Sequence, residues 1–228
     1  MTSTNPITTL ADVDPGDALS TAFAKLHGTT RAAFLRRCVI GSGALLAATA
    51  ATAGAAAPSN RQDISIVQFA LTLEYLQAAF YSEVVNNNVL TGALADQARI
   101  VGGHERSHVQ ELQQVLGAKA APAPFFNFAG ATESPDAFRR TAVAFEDLAV
   151  AAYKGQAPRL DSKQYLASLL AIHSVEARHA AWIRRLAGKL PAPTAFDQPI
   201  AREATLELVD STHFIVNTRS RQSPHFTG

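Results

Sequence analysis

Two short sequences of the form Glu-x-x-His contain the residues of this chain that are best suited to chemistry. Glu105 is followed three positions later by His108, and Glu176 is followed by His179. On an α-helix, residues three apart lie on adjacent turns of one face, so a carboxylate oxygen and an imidazole nitrogen with this spacing can bind the same metal ion. A single pair of this kind more often belongs to a solvated helix face, so one pair alone is weak evidence for a metal site. Two pairs at matching positions are much stronger evidence.

Two further glutamates turn these pairs into a repeated unit. Glu74 and Glu146 precede the two Glu-x-x-His sequences by 31 and 30 positions, and each is followed seven positions later by a tyrosine, Tyr81 or Tyr153. The two copies are offset by 71 or 72 positions. A duplicated unit with its chemical groups in register indicates one dinuclear metal site built from both copies. The six candidate metal ligands are Glu74, Glu105, His108, Glu146, Glu176 and His179.

All six candidate ligands lie on apolar helix faces, as Glu74 illustrates with Leu71 and Ala78 at helical spacing from it. An ionised carboxylate moved from water to such a face costs several kcal/mol unless it is neutralised or paired. Two divalent cations would neutralise four carboxylates, and neutral histidines would complete the coordination. The arginines near these motifs fall off the apolar faces and are predicted to face solvent: Arg106, Arg178, Arg184 and Arg185.

Four long helices must position these residues, and the hydrophobic pattern predicts them at residues 64–85, 94–116, 135–154 and 162–187. Their lengths are typical of helical bundles. Helix ends are indicated by Ser134 before Pro135, by Gly117 and Gly188, and by Asp161 with Gln164 as a capping box.

The connections between the predicted helices differ in length. Residues 86–92 and 155–161 are short and join antiparallel neighbours. Residues 117–134 contain Pro122, Pro124 and Gly130 and are too long for a tight turn. The sequence therefore predicts an all-α fold, an antiparallel four-helix bundle with a long crossover between helices 2 and 3.

Over residues 61–187, the repeated Glu and Glu-x-x-His unit resembles the ferritin-like superfamily of di-iron and di-manganese carboxylate proteins. Within it, the chain is similar to exported bacterial ferritin-like domain proteins grouped with desiccation-related proteins. The resemblance implies two iron (Fe) ions, or alternatively two manganese (Mn) ions, which suit oxygen and imidazole ligands. The resemblance also implies that Glu74 and Glu146 are terminal ligands and that Glu105 and Glu176 bridge the two ions. His108 and His179 would each bind one ion.

Two functions of different classes stay open. The first is an oxidoreductase that acts on oxygen or peroxide, as a ferroxidase or in peroxide removal. The second is a non-catalytic metal-binding protein or a stress (desiccation) protection protein. A storage cage is less favoured, and homo-oligomer formation is left open by the sequence.

Several residues close to the candidate ligands have weaker signals. Tyr81 and Tyr153 are either hydrogen-bond donors to the ligands, radical sites or ordinary core tyrosines, and the last interpretation is favoured. His173 is three positions before Glu176 and could contact the ligands, whereas His104 is expected on the flank of its helix. Trp182 is expected to be a packing residue rather than part of a path for electron transfer.

Residues 1–57 differ in composition from the rest of the chain. Basic residues are followed by a weakly apolar run rich in Ala, Gly and Thr, which is typical of a cleavable export signal and makes a poor membrane anchor. The alternative is an amphipathic N-terminal helix that stays attached to the protein. Arg36 and Arg37, followed by Val39 and Ile40, resemble a twin-arginine signal. The predicted location is therefore periplasmic or extracellular, with the twin-arginine export machinery as a partner. Residues 58–188 form the predicted bundle.

Composition excludes several other classes of protein. The formal net charge of +1 gives no reason to expect nucleic acid or an anionic membrane surface as a partner. Cys38 is the one cysteine, so neither a disulfide framework nor a thiolate metal site can be built. Residues 189–228 read as a proline-containing linker, a short helix near residues 201–209 and a polar tail without an assigned function.

Overall fold

The computed structural model describes residues 60–216, and the signal-like residues 1–57 lie outside that range. It contains five α-helices, two short 3-10 turns and two short strands in this described part. The helices are α1 (Asn60–Asn87), α2 (Gly92–Leu116), α3 (Pro135–Gln156), α4 (Lys163–Leu186) and α5 (Arg202–Ser211). The strands are β1 (Phe125–Phe126) and β2 (Ile215–Val216), and the 3-10 turns are Gly117–Lys119 and Ala157–Arg159.

Helices α1 to α4 form a bundle of two antiparallel hairpins. The most extensive contacts join α1 to α2 and α3 to α4, while α2 also packs against α4 and α1 against α3. Residues 117–134 link α2 to α3, and these two helices are not among the pairs in extensive contact. The predicted all-α helical bundle is confirmed. Within residues 60–216, no helix is both long enough and apolar enough to cross a bilayer.

The beginning of α3 follows the sequence signals. Ser134 is the N-cap, and its hydroxyl oxygen accepts a hydrogen bond from the backbone N–H of Ala137 at 3.2 Å. Pro135 occupies the first helical turn, where its missing N–H costs no helical hydrogen bond. Gly117 ends α2 with φ of 56°, a conformation that glycine adopts without the clash of a Cβ atom.

The start of α4 differs from the prediction, because Asp161 and Gln164 do not form a capping box. Ser162 is the N-cap and accepts from the backbone N–H of Tyr165 at 3.3 Å. The backbone N–H groups of Asp161 and Ser162 donate instead to the buried carboxylate of Asp63 in α1, at 3.0 and 2.8 Å. A carboxylate 98 positions away in the chain therefore supplements the local Ser162 cap and takes the place of the predicted capping box.

Residues after α4 return to the bundle rather than leave it. The backbone N–H of Ile200 donates to the carbonyl of Ala151 in α3 at 3.0 Å. This approach requires Gly155, because a Cβ atom there would lie 1.9 Å from the carbonyl oxygen of Ile200. Helix α5 then packs on α3, and β2 pairs antiparallel with β1 from the crossover.

The core of the bundle is filled by aliphatic side chains and an aromatic cluster. Phe80 is at its centre, with its ring centroid 5.1–5.5 Å from those of Phe128, Phe138 and Phe145. All four rings are buried. Such pairs add about 0.5–1.5 kcal/mol each beyond their apolar burial. This cluster includes Tyr81, whose ring lies 5.4 Å from that of Phe80.

Candidate metal centre

The six sequence-predicted ligands meet in the interior of the bundle. Helices α1 and α3 each contribute one glutamate, while α2 and α4 each contribute one Glu-x-x-His pair. The four glutamates have no solvent exposure, and the exposed fractions of His108 and His179 are 9% and 2%. Apolar residues at helical spacing surround every one of these positions, which explains why the helices turn these faces inward.

The six side chains form two overlapping groups of four. In each group, the potential ligand atoms lie within 4.8 Å of one another. Glu105 and Glu176 belong to both groups, while one group adds Glu74 with His108 and the other adds Glu146 with His179. This arrangement offers one ligand set to each of two cations, with two carboxylates in common.

Both histidines direct the same ring nitrogen at the carboxylates. His108 Nδ1 lies 3.2 Å from Glu74 Oε2 and 3.2 Å from Glu176 Oε1. His179 Nδ1 lies 2.9 Å from Glu105 Oε1 and 3.6 Å from Glu146 Oε2. The two imidazoles are therefore arranged with approximate twofold symmetry around the shared glutamates.

Several buried polar atoms in this cluster make no hydrogen bond of suitable geometry, although they lie as close as 2.9 Å to one another. A buried polar atom without a partner costs about 1–3 kcal/mol, so a group of them requires an explanation. Carboxylate oxygens and an imidazole nitrogen are suitable donors for a divalent cation, which fits the residues present. The unpartnered atoms are both oxygens of Glu105, Oε2 of Glu146, Oε1 of Glu176 and Nδ1 of His179.

Protons balance the charge of this cluster when no cation does so. Burial and the neighbouring charges of Glu176 and Glu74 raise the pKa of Glu105 well above its usual range. Burial opposes protonation of His108 and His179, but their contacts with the carboxylates outweigh it and raise the pKa of each to about 12. Cations that enter the site must therefore displace protons.

Glu146 and Glu176 respond differently to the same surroundings. Burial and the charge of Glu176 raise the pKa of Glu146 to about 7. Burial would also raise the pKa of Glu176, but His108 and His179 outweigh it and lower the pKa to about 2. Glu176 is thus held in its ionised form more strongly than Glu146.

The two repeated tyrosines are hydrogen-bond donors to candidate ligands. The hydroxyl of Tyr81 donates to Glu146 Oε1, and that of Tyr153 donates to Glu74 Oε1, both at 2.5 Å. Burial and the nearby glutamate charges raise the pKa of both phenols, which keeps them protonated as donors. The favoured interpretation as ordinary core tyrosines was wrong, since each tyrosine fixes the glutamate of the opposite hairpin.

Gln77 also contacts the candidate ligands, although the sequence did not predict it. Its buried Nε2 donates to Glu176 Oε2 at 3.3 Å. The available signal was an amide three positions after Glu74 on an otherwise apolar face. Gln77 does not belong to the repeated unit, because the corresponding position in the second copy is Ala149.

His104 contacts the site, contrary to its expected place on the flank. Its Nδ1 lies 2.9 Å from His179 Nε2, and the two rings stack with centroids 5.2 Å apart. His173 is half-buried, and its hydrogen bond is to the backbone of Val150 rather than to a candidate ligand. Trp182 packs against the hydrophobic core as expected.

One of the four arginines predicted to face solvent does not. Arg184 is half-buried and donates to both carboxylate oxygens of Asp147, at 2.7 and 2.5 Å. Arg106, Arg178 and Arg185 are exposed. None of the four pairs with the buried glutamates in the part of the chain that the structure describes, so the carboxylate cluster has no arginine counterion there.

The chain is similar to one known protein family. The family model for the ferritin-like domain matches residues 62–189, a range that contains all six clustered residues. No curated protein matches the chain.

Proposed function

This chain belongs to the ferritin-like domain family, and from that premise we propose that its buried cluster binds two metal ions for redox chemistry linked to oxygen or peroxide. The observation that carries the proposal is the pair of overlapping ligand groups that share Glu105 and Glu176. Two separate metal sites would not need common ligands.

The proposed ligand roles follow from membership of the two groups. Glu105 and Glu176 belong to both, so they bridge the ions, while Glu74 and Glu146 each bind one ion. His108 and His179 complete the two sets through Nδ1. Oxygen donors with imidazole suit iron, the first choice, and manganese, the alternative.

The residues around the candidate ligands hold the buried carboxylates in place by hydrogen bonds. Tyr81 and Tyr153 hold the two terminal glutamates by hydrogen bonds, and Gln77 holds one bridging glutamate. A bound pair of iron ions would supply electrons to oxygen or peroxide, and a manganese pair would dismutate peroxide. Burial of all four carboxylates keeps the coordinating groups preorganised.

The test of this function compares metal-loaded protein with a ligand variant. Iron(II) oxidation under oxygen and peroxide consumption are measured for the wild type, Glu105→Ala and Glu111→Ala. Glu111 is exposed on the same helix, so it is the matched control. We expect the wild type and Glu111→Ala to turn over, and Glu105→Ala to match the protein-free background.

The contrary result distinguishes the second class of function. If metal-loaded wild-type protein reacts no faster than Glu105→Ala with either substrate, the redox proposal fails. The protein would then be a non-catalytic metal-binding or stress protection protein, with metals that chiefly stabilise the bundle.

Export is a separate part of the proposal and is supported by the composition of residues 1–57. The twin-arginine route transports folded proteins, so metal insertion can precede export. Replacement of Arg36 and Arg37 by lysine is expected to leave the protein inside the cell, as measured by fractionation and immunoblotting. Unchanged export of the double variant would contradict the twin-arginine route.

A further inference from the structure

The surroundings of the two metal-facing histidines are not equivalent. His179 Nε2 is 2.9 Å from Nδ1 of His104, an exposed residue of α2. Within residues 60–216, Nε2 of His108 makes no comparable hydrogen bond, and the polar contacts of the His108 ring all involve Nδ1. The sequence repeat explains the difference: a shift of 71 positions places Val175 where the first copy has His104.

The geometry determines which nitrogen of each ring carries a proton once a cation is bound. His179 Nδ1 faces the carboxylates, so it must present its lone pair to a metal ion. A neutral imidazole then carries its proton on Nε2, which can be donated to the lone pair of His104 Nδ1. A partner of this kind fixes both the protonated nitrogen and the orientation of the ring.

We propose that His104 is a positioning residue for His179 and makes the ion held by Glu146 and His179 the more tightly bound of the two. This inference rests on the proposed function, because it requires that both groups bind metal. His104 contacts neither ion. Its effect passes through the ring of His179, and the ion held by Glu74 and His108 lacks this support.

The test is titration of the full-length protein with manganese(II), followed by calorimetry and by the electron paramagnetic resonance signal of free manganese. We expect two binding steps of different affinity in the wild type. Glu146→Gln should remove the tighter step, and Glu74→Gln should remove the weaker one. These two variants assign each step to its ligand group.

Two substitutions of His104 separate the hydrogen bond from the ring stacking. His104→Phe keeps an aromatic ring beside His179 but has no acceptor, so it should weaken the tighter step by about 10–100-fold, the range typical of lost partners to metal ligands. His104→Asn places a carbonyl oxygen close to the position of Nδ1 and should restore affinity close to that of the wild type. Because His104 is exposed, neither change should prevent folding.

The outcomes distinguish this inference from the function on which it rests. Failure of the wild type to bind manganese or iron would overturn both. Two bound ions with the same affinities in the wild type and His104→Phe would overturn the positioning role alone. Equal weakening by His104→Phe and His104→Asn would also overturn it, because the acceptor atom would then have no effect.

Discussion

Replacement of Glu105 by alanine is expected to remove both metal ions, whereas replacement of Glu74 by alanine is expected to remove only one. Glu105 contributes to both ligand groups, and Glu74 contributes to one. Loss of a partner that merely orients a ligand costs about 10–100-fold in metal affinity, so loss of a shared ligand should cost more than about 100-fold. Metal content is measured by elemental analysis after loading and gel filtration.

The matched control for both variants is Glu111→Ala, which removes an exposed carboxylate from the same helix as Glu105. It should retain the full metal content of the wild type. A Glu105→Ala protein that still holds two ions would contradict the shared ligand, and equal losses in Glu105→Ala and Glu74→Ala would contradict the division into two groups.

Removal of the metals is expected to lower the thermal stability of the bundle substantially. A cation that binds only the folded state contributes about 4 kcal/mol when its free concentration is a thousandfold above Kd. In a protein of this size, each kcal/mol shifts the unfolding midpoint by about 2–4 °C. Chelation of two ions should therefore lower the midpoint by more than about 10 °C, as followed by circular dichroism.

The physical reason is the charge of the metal-free site. The charge of four buried carboxylates must then be reduced by protons on Glu105, on the two histidines and, near pH 7, on part of the Glu146 population, since the pKa of Glu146 is raised to about 7; several polar atoms also lack partners. The Glu105→Ala protein serves as the control, because its midpoint should respond little to added metal. Identical midpoints for metal-loaded and chelated wild type would argue against stabilisation by metal.

Much of the bundle could be predicted because helical periodicity is a local property of the sequence. The ends of α2 and α3 carry local signals, Gly117 and Ser134, and both lie where they were expected. The contribution of Asp63 to the start of α4 could not be predicted, since this residue reaches the backbone of Asp161 and Ser162 from α1 through the tertiary fold. The two-residue strands likewise have no pattern of their own to recognise.

In the candidate site, too, features within one helix could be predicted from the sequence, whereas contacts between helices could not. The repeated motif pointed to six residues, and the structure brings them together, although their binding of metal stays a prediction. Gln77 was concealed because it has no counterpart in the second copy. The contact of His104 with His179 depends on the approach of α2 to α4, which no spacing within one helix could indicate.

The most direct test of the central claim is anomalous X-ray scattering from crystals of metal-loaded protein, recorded at the iron or manganese absorption edge. We expect two anomalous peaks about 3.5–4 Å apart, the usual separation of paired metals, each next to one histidine and both in contact with Glu105 and Glu176. A single peak, or no peak among the four helices, would contradict a dinuclear centre in this protein.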